Sequence, residues 1–280
     1  MIVSRTPLST RLWAAAIWVL VGFFVLNLAG LIGSVVTSSF ATRWLGTWLP
    51  AGFTTKWYFA AWDEFQLGDV LWVTFQVVGS VVALAGLFGV PAAYALARRD
   101  FPGKKAVLLL LLLPLLVPPV TYGIPLATVL YKSGLGGSLA GVILANLVPT
   151  VPFVVLVMIP FIEQIDPRIE SAARVFGANT LKVFIYVLVP ILLPGVLAAL
   201  LLVLVRTIAM FELTFLVAGP GSQTLVVALY YAVFAAGVRA VQSIDAMAVI
   251  YMVTTLVWLI IALRFVNPTQ IVARAKRSNT

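Results

Sequence analysis

Residues 166–195 read DPRIESAARVFGANTLKVFIYVLVPILLPG, a short polar interruption in a chain that is otherwise almost continuously apolar. Asp166-Pro167 is a helix-start signal: an Asx cap, then a proline at the first helical position, where its missing N–H costs nothing. Ala172 and Ala173 leave a helix face that another protein's side chains can approach closely. Gly177 follows where that helix should end, at the position where a left-handed residue is usual. Asn179 and Thr180 can cap a second helix, which runs into apolar sequence at Val187–Pro190. The spacing predicts a short helix over 168–178. A helix, a glycine turn and another helix between two apolar runs bury little alone. The segment is therefore either an ordinary connection or a surface with a partner.

The surrounding composition sets the solvent. Of 280 residues, 62% are hydrophobic and 10% charged, with mean hydropathy +1.12. That balance predicts a polytopic membrane protein and no soluble domain. Eighteen basic against nine acidic residues give a net charge of +9. In a membrane chain that sign is read by location, and nucleic acid is not expected as a partner. The chain holds no cysteine and no histidine. Disulfides, thiolate metal sites and the commonest catalytic base are thereby excluded. The first apolar run follows Arg5 and Arg11 and is longer than a signal-peptide core, so it reads as a retained span.

About 20 apolar residues cross a bilayer core. Runs of that length occur near 12–36, 70–97, 106–131, 139–162, 184–217 and 244–266. The fold class is thus all-α with six transmembrane helices in a single transmembrane domain over 1–280. Its core covers about 70–265, preceded by span one and an outer loop at 37–69. The fifth run is too long for one straight span and should tilt or bend. The apolar segment 224–238 is short and is expected to be interfacial or partly buried on the outer side. With the N-terminus inside, inner segments carry Arg5, Arg11, Arg98, Arg99, Lys104, Lys105, Arg168, Arg174, Lys182, Arg264, Arg274, Lys276 and Arg277. Outer segments carry Arg43, Lys56, Lys132 and Arg239, and Arg206 lies within span five. Thirteen against four places both termini and residues 163–183 in the cytoplasm.

Several features bear on function. The outer loop carries Trp44, Trp48, Trp57, Tyr58 and Trp62, an interfacial belt or a docking surface helped by Asp63, Glu64 and Asp69. Arg98–Lys105 is a tight basic inner turn, explained fully by charge and a Pro-Gly bend. Span three holds Pro114, Pro118, Pro119 and Pro125 with Gly123. Proline frees backbone carbonyls, which hydrocarbon does not tolerate, so this helix should kink and face the bundle interior. Thr121 and Tyr122 at the bend are candidate path-lining residues, the alternative being a purely structural kink. Glu212 is the only acid deep in an apolar run, with Arg206 six residues before it. Intramembrane charge is costly, so Glu212 is either a path residue or a wet group at the outer end. No G-x-x-x-x-G-K-[ST] stretch is present to cradle ATP phosphates. No Ser/His/Asp set, carboxylate pair or metal cluster appears, and no catalytic residue is assigned.

The opening stretch resembles the EAA loop of binding-protein-dependent ABC importer permeases of type I. That pattern runs Glu-Ala-Ala, three residues, Gly, nine residues, Ile, one residue, Leu-Pro. Here it reads Ser171-Ala172-Ala173, Gly177, Val187 and Val189-Pro190. Ser171 stands where the family has glutamate, and Glu170 lies one residue, about 100° of helix, away. Gly52–Tyr58 and Ala218–Leu225 resemble phrases of the spermidine/putrescine branch, whereas Ala92–Arg98 with Phe101, Gly103 and Lys104 recurs also among sugar permeases. The resemblance implies a cytoplasmic coupling helix between spans four and five. Its ATPase-facing residues would be Glu170, Ser171, Ala172, Ala173, Arg174, Phe176 and Gly177, with Glu170 and Arg174 flanking the joint at an exposed rim. Implied partners are a second permease subunit, identical or a paralogue, two ABC ATPase subunits and an extracytoplasmic solute-binding protein, in a bacterial inner membrane. ATP and Mg would be bound by the ATPase, with no cofactor in this chain. The solute expected is polyamine-like or derived from a sugar or polyol. The other class to weigh is a proton-coupled carrier or intramembrane enzyme, which needs more ionisable groups at membrane depth than one glutamate.

Overall fold

A computed structural model describes residues 8–44, 47–234 and 239–265, with side chains described from residue 12 to residue 264 within these ranges. Arg5, Arg274, Lys276, Arg277, both termini, residues 235–238 of the short outer segment and the last residue of the sixth run lie outside the described residues. The chain forms α1 (Leu8–Phe40), α2 (Lys56–Glu64), α3 (Leu67–Arg98), α4 (Lys104–Leu116), α5 (Pro119–Lys132) and α6 (Leu139–Glu163). There follow α7 (Pro167–Val175), α8 (Thr180–Lys182), a π-helical stretch at Val183–Leu188 and α9 (Val189–Ile208). The last elements are α10 (Glu212–Val217), α11 (Leu225–Phe234) and α12 (Val241–Phe265). Among the described residues, five stretches are long and apolar enough to cross a membrane: Leu12–Phe40, Leu67–Arg98, Leu139–Glu163, Thr180–Ile208 and Val241–Arg264. A sixth is complete if α4 and α5 count as one broken span.

The chain divides into two compact units. The first contains residues 1–64 and 235–250. In it the Trp57 indole N–H donates to the Ala41 carbonyl at 2.7 Å, and the Ser39 and Tyr58 hydroxyls lie 2.8 Å apart. The outer-loop aromatics therefore divide: Trp57 and Tyr58 anchor α2 to the end of α1, while Trp48 is fully exposed. Glu64 pairs with Arg239 at 3.0 Å and accepts from Ser243. The side chains of residues 12–34 in α1 are uncovered, as suits a helix surrounded by lipid.

The second unit contains residues 65–234 and 251–280. Its framework is α3 packed along α6. Between membrane helices burial of apolar surface brings little, because lipid is equally apolar, and close packing of small residues matters more. Gly89 shows this: a Cβ placed there would lie 2.6 Å from Val154 Cγ1. One end of the α3–α6 pair builds a core with α9 around Ala93, Leu96, Met158, Ile162, Leu188 and Leu192. The other builds a core with α5 and α10 around Val77, Val81, Val142, Ala145, Leu213 and Val217.

Two expected spans differ from the simplest reading. The third breaks at Val117-Pro118 with a bend of 101°, sharper than a kink, since Pro118 and Pro119 both lack the N–H that would carry the ladder across. The fifth ends at Ile208, and Glu212 opens a separate helix after a turn closed by Met210 N–H to Thr207 O. No Pro or Gly marks that second break, so hydropathy alone runs straight through it. At the start of the same span, Val189 N–H bonds the Phe184 carbonyl five residues back, the π pattern, immediately before Pro190.

Candidate functional sites

The stretch 166–179 folds as its caps dictate. Asp166 Oδ1 accepts from Arg168 N–H at 2.9 Å, and Asn179 Oδ1 accepts from Lys182 N–H at 2.9 Å. Gly177 sits at φ +86°, the left-handed conformation that a side chain would strain. Between the caps, α7 turns one side inward. Ala173 packs against the core shared by α3, α6 and α9, and Glu170 is buried.

The burial of Glu170 corrects the expectation of a carboxylate at an exposed rim. Its Oε1 accepts from Arg98 Nε at 2.7 Å and its Oε2 accepts from the Tyr94 hydroxyl at 2.8 Å. The other arm of the Arg98 guanidinium donates to the Ile165 carbonyl at 2.7 Å. Arg174, largely exposed, stands 3.8 Å from Glu170 one helical turn on. The physical reason is register: with Ala173 against the core, residue 170 lies on the same face three positions earlier. Ser171 and Ala172 point outward, and the Ser171 hydroxyl only donates back to the Pro167 carbonyl. The outward surface is apolar at its end, with Val175 85% and Phe176 92% exposed. Phe176 belonged to the expected set; Val175 did not. The partners Arg98 and Tyr94 were also missed, since the basic turn at 98–105 is satisfied by charge and bend alone.

A second polar set lies where α5, α6 and α10 meet. The Tyr122 hydroxyl is buried without a hydrogen-bond partner. Glu212, half-buried, is the first residue of α10, and the rings of Phe211 and Phe215 stack 5.1 Å apart on either side of it in sequence. The Arg206 guanidinium lies over the Phe153 ring at 5.3 Å. Thr121 is exposed, whereas Tyr122 and Glu212 are both half-buried. Reading by charge also missed Asn146, whose amide donates to Thr214 Oγ1 at 3.1 Å while its Oδ1 stays buried and unpartnered. A lone amide in so apolar a helix was the available signal. Among the described residues, no three acidic side chains gather as a metal site would require.

Residues 85–272 match the family described as "Binding-protein-dependent transport system inner membrane component". The chain belongs to that family. This inner-membrane component is a multi-pass protein, in keeping with its five or six candidate spans. It is 31% identical over 156 residues to the melibiose/raffinose/stachyose import permease protein MelC of Bacillus subtilis (strain 168), covering 55% of each chain. It is 32% identical over 184 residues to the molybdenum transport system permease protein ModB of Escherichia coli (strain K12), covering 59% of this chain and 80% of the relative. The matched region spans about half the length of MelC. Among solved structures it resembles a chain of a bacterial ABC transporter involved in the import of the acidic polysaccharide alginate, with TM-score 0.78 and 17% identity. That likeness covers 94% of this chain and 99% of the other, and at this identity it speaks for the fold alone. The polyamine branch suggested by the outer phrases gains no support from these relatives.

Proposed function

We propose that this chain is the permease subunit of an ABC importer, passing a small polar solute that an extracytoplasmic binding protein delivers. A second permease subunit completes the path, and two separate ATPase subunits bind ATP and Mg. The observation that carries the reading is α7, seated on the bundle by one face while Val175 and Phe176 at its end stand uncovered. Exposed large apolar side chains on a polar, basic segment are a binding feature, because water around them is released only when a partner covers them. The thirteen-to-four distribution of basic residues supports a cytoplasmic position for α7 and both termini, where an ATPase can reach α7. Closure of the ATPase dimer then drives α7, the path opens outward to receive solute, and hydrolysis returns it inward. Glu212, Thr121 and Tyr122 line that path.

The test is retention of an ATPase by the purified chain. An affinity-tagged chain taken from native membranes should carry an ABC ATPase, and Phe176→Asp should weaken that association at least tenfold, because covering a Phe side chain contributes about 1.5–3 kcal/mol. An ATPase held equally well by Phe176→Asp would remove α7 from the interface.

A further inference from the structure

Most of α7 is exposed, yet its one buried charge is directed into the bundle and not toward any partner. Glu170 meets Arg98 and Tyr94, both on the last turns of α3. Arg98 also donates to the Ile165 carbonyl, in the connection between α6 and α7. One guanidinium therefore ties three places together: the end of α3, the exit of α6 and the first turn of α7. The carboxylate accepts one bond on each oxygen, so both arms of the joint are occupied. The Tyr94 ring also packs against the ring of Phe184, centroids 5.3 Å apart, on the π-helical stretch that leads out of the loop.

The geometry points to a rigid joint: Arg98, Glu170 and Tyr94 make α7 move as one body with α3, so that displacement of α7 is delivered to the longest helix of this unit. Glu170 is thus a positioning residue that acts within the chain. Two physical facts support a rigid joint over a loose contact. Charge-assisted bonds with a guanidinium fork are directional and short. A buried pair also resists separation, because pulling it apart strands an uncompensated charge away from water. By contrast, the exposed i,i+4 partner Arg174, at 3.8 Å, adds little. A helix held by apolar contacts alone could slide; one held by this joint can only carry α3 with it. The effect on transport rests on the importer reading, whereas the joint itself does not.

Hydrogen exchange read by mass spectrometry on the full chain in lipid nanodiscs separates the two. Arg98→Gln, Glu170→Gln and the double variant are compared with the unaltered chain. Each single change should speed exchange over residues 166–176 at least about tenfold while leaving 139–160 protected, and the double variant should be no worse than either single one. Unchanged exchange over 166–176 overturns the joint. The second arm adds the ATPase with ATP and vanadate. In the unaltered chain, exchange should change together over 166–176 and 90–98. In the double variant the change should stay confined to 166–176. An equal change over 90–98 in that variant shows that motion reaches α3 by another route and overturns the proposal. If the unaltered chain binds no ATPase, the importer reading fails and the first arm alone decides the joint.

Discussion

Residue identity alone marked Glu212 and overlooked Asn146, and the difference is charge. A carboxylate in an apolar run is conspicuous, whereas an amide or hydroxyl is cheap enough to pass as filler. Asn146 nevertheless makes the interhelical bond to Thr214, joining α6 to α10. Polar bonds between membrane helices average about 0.6 kcal/mol, with a maximum near 1.7. Thr214→Val should therefore lower the thermal unfolding midpoint in detergent slightly, whereas replacing both partners, Asn146→Leu with Thr214→Val, also removes the orphaned Oδ1 and should cost less than Thr214→Val alone or even stabilise. The proposed place of Glu212 on the path has its own test: Glu212→Gln should reduce uptake in reconstituted vesicles while the complex still assembles, and unchanged uptake kinetics would reassign Glu212 to a structural role at the surface. The sequence departure at Ser171 drew attention to a missing carboxylate. The structure instead shows the neighbouring carboxylate committed to α3, a pairing across 72 residues that no local pattern displays.

At the scale of elements, local chemistry was most readable where caps and turns decide conformation. Asp166, Asn179 and Gly177 all sit where their side chains, or the lack of one, predict. Breaks inside apolar runs were readable only where proline causes them. Pro118-Pro119 announced the broken third span, though not its 101° bend, while the turn at Ala209–Phe211 carries no such residue. A Cβ at Gly177 would meet open space, so a substitution there acts through the backbone and not through a clash. Forcing valine into that left-handed conformation costs roughly 1–3 kcal/mol. Gly177→Val should leave insertion and folding intact but shift the exit of α7, so that uptake stops and ATP hydrolysis no longer responds to loaded binding protein. Normal coupling in that variant would mean that the turn is not part of the transmission. Gly89→Val is the contrasting case: its side chain would collide with Val154, and low yield of folded chain is the expected result.

For the whole molecule, hydropathy and the basic-residue asymmetry carried the reading: a multi-pass, nearly all-helical chain. What they left out is how the helices meet, because in lipid apolar side chains mark the outside of the bundle as readily as its core. In the proposed importer α7 lies in the cytoplasm and is covered there by an ATPase. The chain has no cysteine, so a single Ala172→Cys substitution, at an exposed position on α7, reports both points. With an impermeant maleimide, labelling should occur only in inside-out membrane vesicles and should slow at least tenfold when the ATPase is bound. Labelling of position 172 from outside intact cells would contradict the orientation and, with it, the assignment of α7 as the coupling element.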